Sequence, residues 1–271
     1  MIVTLKPKKE IRVPIDARNL SPDVFQGKSR SELGKEEVLY GNHWLPINRL
    51  FDIDVDERGE DVTLKLSGNL SRVRFIGANM SMGTVIIDGA VGMHLGERME
   101  GGSIIVNGDA DSWLGSMMRG GRIEIKGNAG DYTGAAYRGS AEGMSGGEII
   151  IHGNAGNETG LFMRKGVIKI GGNVGQFTGI HMIKGTILVQ GDSLGRDGAE
   201  MKGGKIAILG HVESVLPTFT IEGVKKKVKI GDESIQGPFY VFEGDTAEHG
   251  LGKLYIAVDS NPQLKFYEKY I

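Results

Sequence analysis

Two apolar positions separated by a single residue return every 19 residues through the middle of the chain. A spacing of two between β-branched side chains is typical of one strand face turned into a core. The position between them is mixed in character, which predicts an outward face that another part of the chain partly covers. The inward columns are Val85, Ile104, Ile123, Ile149, Ile168, Ile187 and Ile206, and Ile87, Val106, Ile125, Ile151, Ile170, Val189 and Ile208.

Glycine and methionine follow the same step of 19 residues, and one step of 26 interrupts each series. Similarity at a fixed period is typical of a solenoid. We interpret the methionine column as adaptable core filling rather than as a soft-metal site. The glycine column is Gly77, Gly96, Gly115, Gly134, Gly160, Gly179 and Gly198. The methionine column is Met80, Met99, Met118, Met144, Met163, Met182 and Met201.

These columns predict an all-β fold, a single-stranded right-handed parallel β-helix of about seven 19-residue coils. Each coil would have three short extended segments separated by glycine corners. The helical period of about 3.6 residues fits none of the columns. Residues 1–60 are predicted to form an N-terminal capping segment, 61–212 the β-helix, and 213–271 a C-terminal β-hairpin and tail.

Asparagine or aspartate follows most of the glycines that end these strands, as at Asp109, Asn128 and Asn154. These residues hydrogen-bond local backbone, and their stacking predicts a side-chain ladder. The one longer step places seven additional residues between Gly134 and Met144, in a run that includes Tyr137 and Arg138. Insertions in solenoids emerge as surface loops, where function is often found.

One further column is mostly aromatic and is the candidate partner interface. If it points inward it is core, and if it points outward it marks a surface for a partner, because aromatic residues and arginine are enriched there. The adjacent column starts with Leu95 and Leu114, which favours the outward alternative. Tyr137 and Arg138 of the insertion join this candidate interface. The column is His94, Trp113, Tyr132, Glu158, Phe177 and Arg196.

The composition of the chain excludes several classes of function. The 271 residues carry a net charge of -2, so no global basic field points to nucleic acid. No apolar run is long enough for a membrane helix, and the N-terminus lacks the features of a signal peptide, so we expect a cytoplasmic protein. The absence of cysteine excludes cysteine-ligated clusters and a cysteine nucleophile. We predict no catalytic, cofactor-binding or metal-ligating residue in this chain.

The repeat resembles a known family. Its unit, G/W-x-x-M-x-x-G-x-I/L-x-I/V-x-G, stands here as GERMEGGSIIVNG from Gly96 and GIHMIKGTILVQG from Gly179. This unit closely resembles that of the C-subunit family of formylmethanofuran dehydrogenase. It is also similar to the C-terminal domain of the glutamate synthase large subunit. The copy that would begin at Ala141 departs at its first position. Resemblance over the whole chain favours the formylmethanofuran dehydrogenase family.

The resemblance implies a non-catalytic scaffold in a complex that reduces CO2 with ferredoxin electrons and attaches it to methanofuran. The other subunits would be an amidohydrolase with zinc, ferredoxin-type subunits with iron–sulfur clusters, and a tungsten– or molybdenum–pterin subunit. The resemblance does not decide whether this chain itself contacts methanofuran. The alternatives are a freestanding β-helix enzyme that acts on polysaccharide and a ligand-binding module.

Overall fold

A computed structural model describes residues 1–59 and 61–271. The predicted boundary at residue 60 therefore lies outside the described residues. The strands are β1 (Ile2–Pro7), β2 (Ile15–Asp16), β3 (Glu37–Tyr40), β4 (His43–Pro46), β5 (Phe51–Asp56), β6 (Thr63–Ser67), β7 (Val73–Arg74), β8 (Thr84–Asp88), β9 (Ser103–Val106), β10 (Arg122–Ile125), β11 (Ser145–Ile151), β12 (Lys165–Ile170), β13 (Thr186–Val189), β14 (Lys205–Ile208), β15 (Thr220–Ile230), β16 (Glu233–Gly244) and β17 (Gly252–Ala257). The helices are α1 (Pro22–Phe25), α2 (Arg30–Leu33), α3 (Ile47–Leu50) and two 3₁₀ helices, Thr246–Glu248 and Pro262–Tyr270.

The strands form two sheets. A mixed sheet of 13 strands has the order β15-β16-β17-β14-β13-β12-β11-β10-β9-β8-β6-β1-β5, and a sheet of four strands has the order β4-β3-β2-β7. Strands of successive repeats pair in parallel and in register, so that Ile104 lies beside Val85 and Ile123. Antiparallel pairs occur at the two ends of the large sheet, where β5 joins β1 and β16 joins both β17 and β15.

The prediction of a right-handed parallel β-helix is wrong. The described residues form one large, mostly parallel sheet and a small sheet instead. Each repeat was expected to supply three extended segments, but only one of them becomes a strand of the ladder. A second segment makes a single bridge per repeat, as between Val91 and Ala110. The rest of the repeat consists of turns, in which residues such as Trp113 and Met117 adopt left-handed backbone angles that interrupt strand pairing.

The predicted core columns are confirmed. Both inward columns of the repeat are buried, with at most 1% of any residue exposed, and every methionine of the methionine column is fully buried. Spacing of two places both aliphatic columns on one side of the strands, and methionine fills the gaps that these branched side chains leave. One continuous apolar cluster therefore runs from Val3 to Leu264.

The predicted side-chain ladder is also confirmed. The Oδ1 atom of Asp109 accepts a hydrogen bond from the backbone N–H of Asn128 at 2.7 Å, and Asn128 in turn accepts one from Asn154 at 2.9 Å. The same contact continues through Asn173 and Asp192 in the next repeats. These bonds satisfy backbone donors at the turns, where no neighbouring strand is available.

The C-terminal hairpin of β15 and β16 covers part of the outward face of the sheet. Leu188 and Ala207, at the mixed position of the last two repeats, are buried in a second apolar cluster with Val228 and Phe239 of the hairpin. The expected partial cover therefore comes from within the chain. At the same position of earlier repeats Ile105 stays half-buried. No helix among the described residues has the length and apolar character needed to cross a membrane.

Candidate partner interface

Aromatic side chains from successive repeats stack on one another along one side of the repeats. The rings of Phe75 and His94 lie 4.4 Å apart and nearly parallel, and His94 lies 6.0 Å from Trp113. Trp113 stacks on Tyr132 at 4.3 Å. The guanidinium of Arg18 lies 4.0 Å above the Phe75 ring and ends the stack. We call Phe75, His94, Trp113 and Tyr132 the aromatic strip.

All residues of the aromatic strip have left-handed backbone angles, with φ between +64° and +65°. This region is sparsely populated for bulky residues, where each such residue costs about 1–3 kcal/mol. Glycine or asparagine would occupy the corner more easily. Because the rings at these corners lie face to face, the stacking contacts between them offset part of that cost.

The strip is half-buried, and the column next to it is the one that faces the core. Leu95 and Leu114 are at most 1% exposed, and Thr133 is fully buried. His94, Trp113 and Tyr132 keep part of their surface open. The adjacent column is therefore inward, as expected, and the aromatic strip lies on the outer side of it.

The insertion folds back onto the strip. The hydroxyl of Tyr137 lies 2.8 Å from Nδ1 of His94, and its ring is tilted against Trp113 with the centroids 5.0 Å apart. Ala135 and Ala136 are fully buried and anchor the start of the insertion. The insertion therefore forms a second wall of the strip rather than a loop free in solvent.

Burial and charge shift the pKa values of Tyr137 and of the neighbouring His94. Burial lowers the pKa of the His94 imidazole, against the opposing charge of Glu97. Burial also raises the pKa of the Tyr137 phenol, and the Glu97 carboxylate adds to that rise. Both rings are thus neutral at physiological pH. Glu97 is only 7% exposed, and its Oε2 atom has no hydrogen-bond partner among the described residues.

Two of the remaining candidate residues, Phe177 and Arg196, lie apart from this stack. Glu158 interrupts the column after Tyr132, and Phe177 pairs instead with Arg196, whose guanidinium lies 5.1 Å from the ring. Arg138 is exposed, and the neighbouring Tyr132 hydroxyl raises the pKa of its guanidinium. The structure thus brings together His94, Trp113, Tyr132, Tyr137 and Arg138.

A second column of left-handed residues was missed by the sequence reasoning. Phe162 stacks on His181 with the centroids 4.5 Å apart, and Arg98 donates a hydrogen bond to the Met117 sulfur. The step of 19 residues between these pairs was the available signal. Within residues 1–59 and 61–271, no group of three or more His, Asp or Glu side chains is placed to hold a metal ion.

Comparison with known proteins identifies relatives over nearly the whole chain. No protein-family model matches it. It is 47% identical over 266 residues to the C subunit of the tungsten-containing formylmethanofuran dehydrogenase 2 of Methanothermobacter thermautotrophicus, covering 97% of this chain and 98% of that one. The chain belongs to the C-subunit family of formylmethanofuran dehydrogenase. The Methanococcus maripaludis member of that family is 46% identical over 267 residues, or 96% of this chain and 98% of that one.

Two further relatives extend the comparison. The C subunit of the molybdenum-containing formylmethanofuran dehydrogenase 1 of Methanothermobacter marburgensis is 43% identical over 92 residues, which are 34% of this chain and only 23% of that protein. A solved chain of the formyltransferase/hydrolase complex of Methylorubrum extorquens, in complex with methylofuran, superposes with a TM-score of 0.84. It is 30% identical and the match covers 94% of this chain and 99% of that one.

Proposed function

We propose that the chain is a non-catalytic scaffold subunit of a formylmethanofuran dehydrogenase. The complex would reduce CO2 with ferredoxin electrons and attach it to methanofuran as N-formylmethanofuran, the first step of methanogenesis from CO2. The observation that carries the proposal is similarity over nearly the whole length to the C subunit of such an enzyme. Amidohydrolase, metal–pterin and ferredoxin-type subunits would be the partners and would hold zinc, tungsten or molybdenum, and iron–sulfur clusters.

The range of relatives supports a scaffold role. Chains of this kind occur in enzymes described as tungsten-containing, as molybdenum-containing, and as a formyltransferase/hydrolase complex. What these names share is a formyl group on a furan carrier and not a particular metal. A chain that is present in all of them is suited to supporting the part of the complex that handles the formylated carrier.

The aromatic strip and the insertion are the proposed contact surface for the catalytic subunits. Half-buried tryptophan and tyrosine are the residues that most often dominate binding energy at interfaces. The backbone cost of placing rings at left-handed corners is a further sign of function at this surface.

The experiment is co-purification of the tagged chain with its complex. Trp113→Asp should lower the recovery of the catalytic subunits by about thirtyfold, because it places a charge in the centre of the contact, worth about 2 kcal/mol. Leu251→Asp introduces the same charge at a residue that is 70% exposed and should leave recovery unchanged.

Two other outcomes contradict parts of this proposal. The assignment to the complex would be contradicted if the tagged wild-type chain were recovered as a stable monomer without metal–pterin or iron–sulfur partners. Unfolding of isolated Trp113→Asp, measured by circular dichroism, would show that the strip is core and not contact surface. Trp113→Phe keeps a ring in the stack and should retain both fold and partners.

A further inference from the structure

Three cavities meet around the loop that follows β1 in the N-terminal part of the chain. The first has a volume of about 540 Å³ and lies between α2, β5 and Lys8. The second, of about 520 Å³, lies between this loop and the turn after β6. The third, of about 250 Å³, is lined by Tyr40 and Arg49. Lys8 and Lys9 are each shared by two of the three cavities.

Cations dominate the walls of these cavities. Two acidic residues line them, and each already has a partner, since Glu10 pairs with Arg12 at 3.0 Å and Asp52 lies 3.9 Å from Lys8. Six basic residues have no salt bridge to any acidic side chain within residues 1–59 and 61–271. They are Lys6, Lys9, Arg30, Lys35, Arg49 and Arg72.

Packing does not account for this concentration of charge. Lys8 donates a hydrogen bond to the carbonyl oxygen of Asn48 at 2.7 Å, which fixes one lysine to the wall. The six unpaired cations are all exposed, and their combined positive potential attracts anions to the cavities. Arginine binds carboxylates in a bidentate geometry.

We propose that these cavities dock a carboxylate-rich polypeptide segment of a partner subunit. This inference rests on the proposed function, because it takes the partner from the same complex. Nucleic acid is disfavoured because the cavity walls lack an exposed aromatic platform for bases, since Phe51 is 1% exposed and Tyr40 is half-buried.

Charge reversal in the second cavity tests the docking site. The variant Lys9→Glu/Arg72→Glu changes two residues that line one cavity. The matched control Lys226→Glu/Lys227→Glu makes the same change in charge at exposed positions of β15. Binding of a fluorescein-labelled decaglutamate peptide to the full chain is measured by anisotropy at increasing NaCl. The cavity variant should bind about tenfold more weakly than the control, and wild-type binding should fall with salt.

The same two variants are then compared in the assembled complex. The cavity variant should dissociate from its partners at lower NaCl than the control variant. Equal peptide affinity and equal dissociation for the two variants would overturn the inference while leaving the proposed function intact. Tighter binding of a 20-nucleotide single strand than of the peptide would also overturn it. Failure of the wild-type chain to assemble at all is instead a failure of the proposed function.

Discussion

Glycine is required at the corner of each repeat for two separable reasons. Gly115 has a φ of +58°, which side-chain-bearing residues adopt at a cost. A Cβ atom at this position would also lie 2.6 Å from Cδ1 of Ile149 in the next repeat. Gly139, in the insertion, has a φ of +84° but nothing within 4 Å of that Cβ position. The two residues therefore share the backbone requirement and differ in steric crowding.

Alanine at these two positions separates the two effects. Gly139→Ala should lower the free energy of unfolding by about 1–2 kcal/mol from backbone strain alone. Gly115→Ala should lower it by about 1–3 kcal/mol more, because a close-packed core yields poorly to an added methyl group. Urea denaturation followed by circular dichroism measures both. An equal loss in the two variants would show that the contact with Ile149 relaxes freely.

A buried carboxyl group makes stability depend on pH. Asp197 is 5% exposed and accepts hydrogen bonds from the Ser193 hydroxyl at 2.7 and 2.8 Å. Burial raises its pKa from an ordinary 3.8 to about 6. The folded state therefore holds this proton between those pH values while the unfolded state releases it. This contribution to stability is complete below pH 4 and is lost as pH rises through about 6.

Asp197→Asn should remove that pH dependence. At pH 7.5 the variant should gain up to about 3 kcal/mol in the free energy of unfolding relative to wild type, and at pH 4 it should gain nothing. Thermal and urea unfolding at several pH values measure the difference. Asp259→Asn is the control, because it removes a carboxyl group at an exposed position. A variant that parallels wild type from pH 4 to 7.5 would contradict a buried, proton-binding Asp197.

Much of the candidate site could be predicted at the level of single residues. The repeat period placed His94, Trp113 and Tyr132 in one column, and the structure stacks them. Phe75 belongs to the same column, 19 residues before His94, but lies before the clearest copies of the motif. Arg18 comes from the non-repeating segment, so only the folded chain could show that it ends the stack.

Among the elements, the C-terminal hairpin has the clearest structural role. Phe239 of β16 is fully buried and packs edge-on against Tyr255 of β17, with the centroids 6.4 Å apart. It belongs to the cluster that covers Leu188 and Ala207 on the outward face. Phe266, in the terminal 3₁₀ helix, is 54% exposed and offers the same side chain without that burial.

Removing these two rings shows how much the hairpin stabilises the sheet. Phe239→Ala should lower the free energy of unfolding by about 3–5 kcal/mol, because it leaves a cavity between the hairpin and the repeats. Phe266→Ala should cost less than about 1 kcal/mol. Chemical denaturation of both variants provides the values. A small loss for Phe239→Ala would mean that the hairpin is not tightly packed on the face.

Local patterns predicted some elements and failed for others. Alternating apolar and polar residues predict strands at Val3–Leu5 and Ile11–Val13, and the sequence LGKLYIAVD predicts another. The first and the last of these strands and the C-terminal hairpin are confirmed. The strand at Ile11–Val13 is wrong, since the pairing begins at Ile15, which pairs with Tyr40 and Val73. A short helix over Ser31–Val38, which the sequence also allows, is only partly present, because β3 takes Glu37–Tyr40 into the four-stranded sheet. In both cases contacts distant in sequence decide the outcome.

At the scale of the whole molecule, the repeat predicted packing better than it predicted architecture. The inward columns, the methionine column and the ladder depend on a period that each repeat contains in full. The extent of the sheet depends on how non-repeating ends join it. β5 adds to β1 and the C-terminal hairpin adds through β17, both by antiparallel pairing that the 19-residue unit does not encode. These additions convert the ladder of repeats into a mixed sheet of 13 strands.

The parallel strands of successive repeats pair in register, so each repeat adds a fixed length to the sheet. Every repeat advances the chain by one strand spacing, about 4.8 Å, whether it contains 19 residues or, at the insertion, 26. The distance between the basic cavities at one end and the C-terminal hairpin at the other is therefore set by the number of strands between them. The distance between these cavities and the hairpin could therefore be changed only by whole repeats, while loops of any length could be added without altering it.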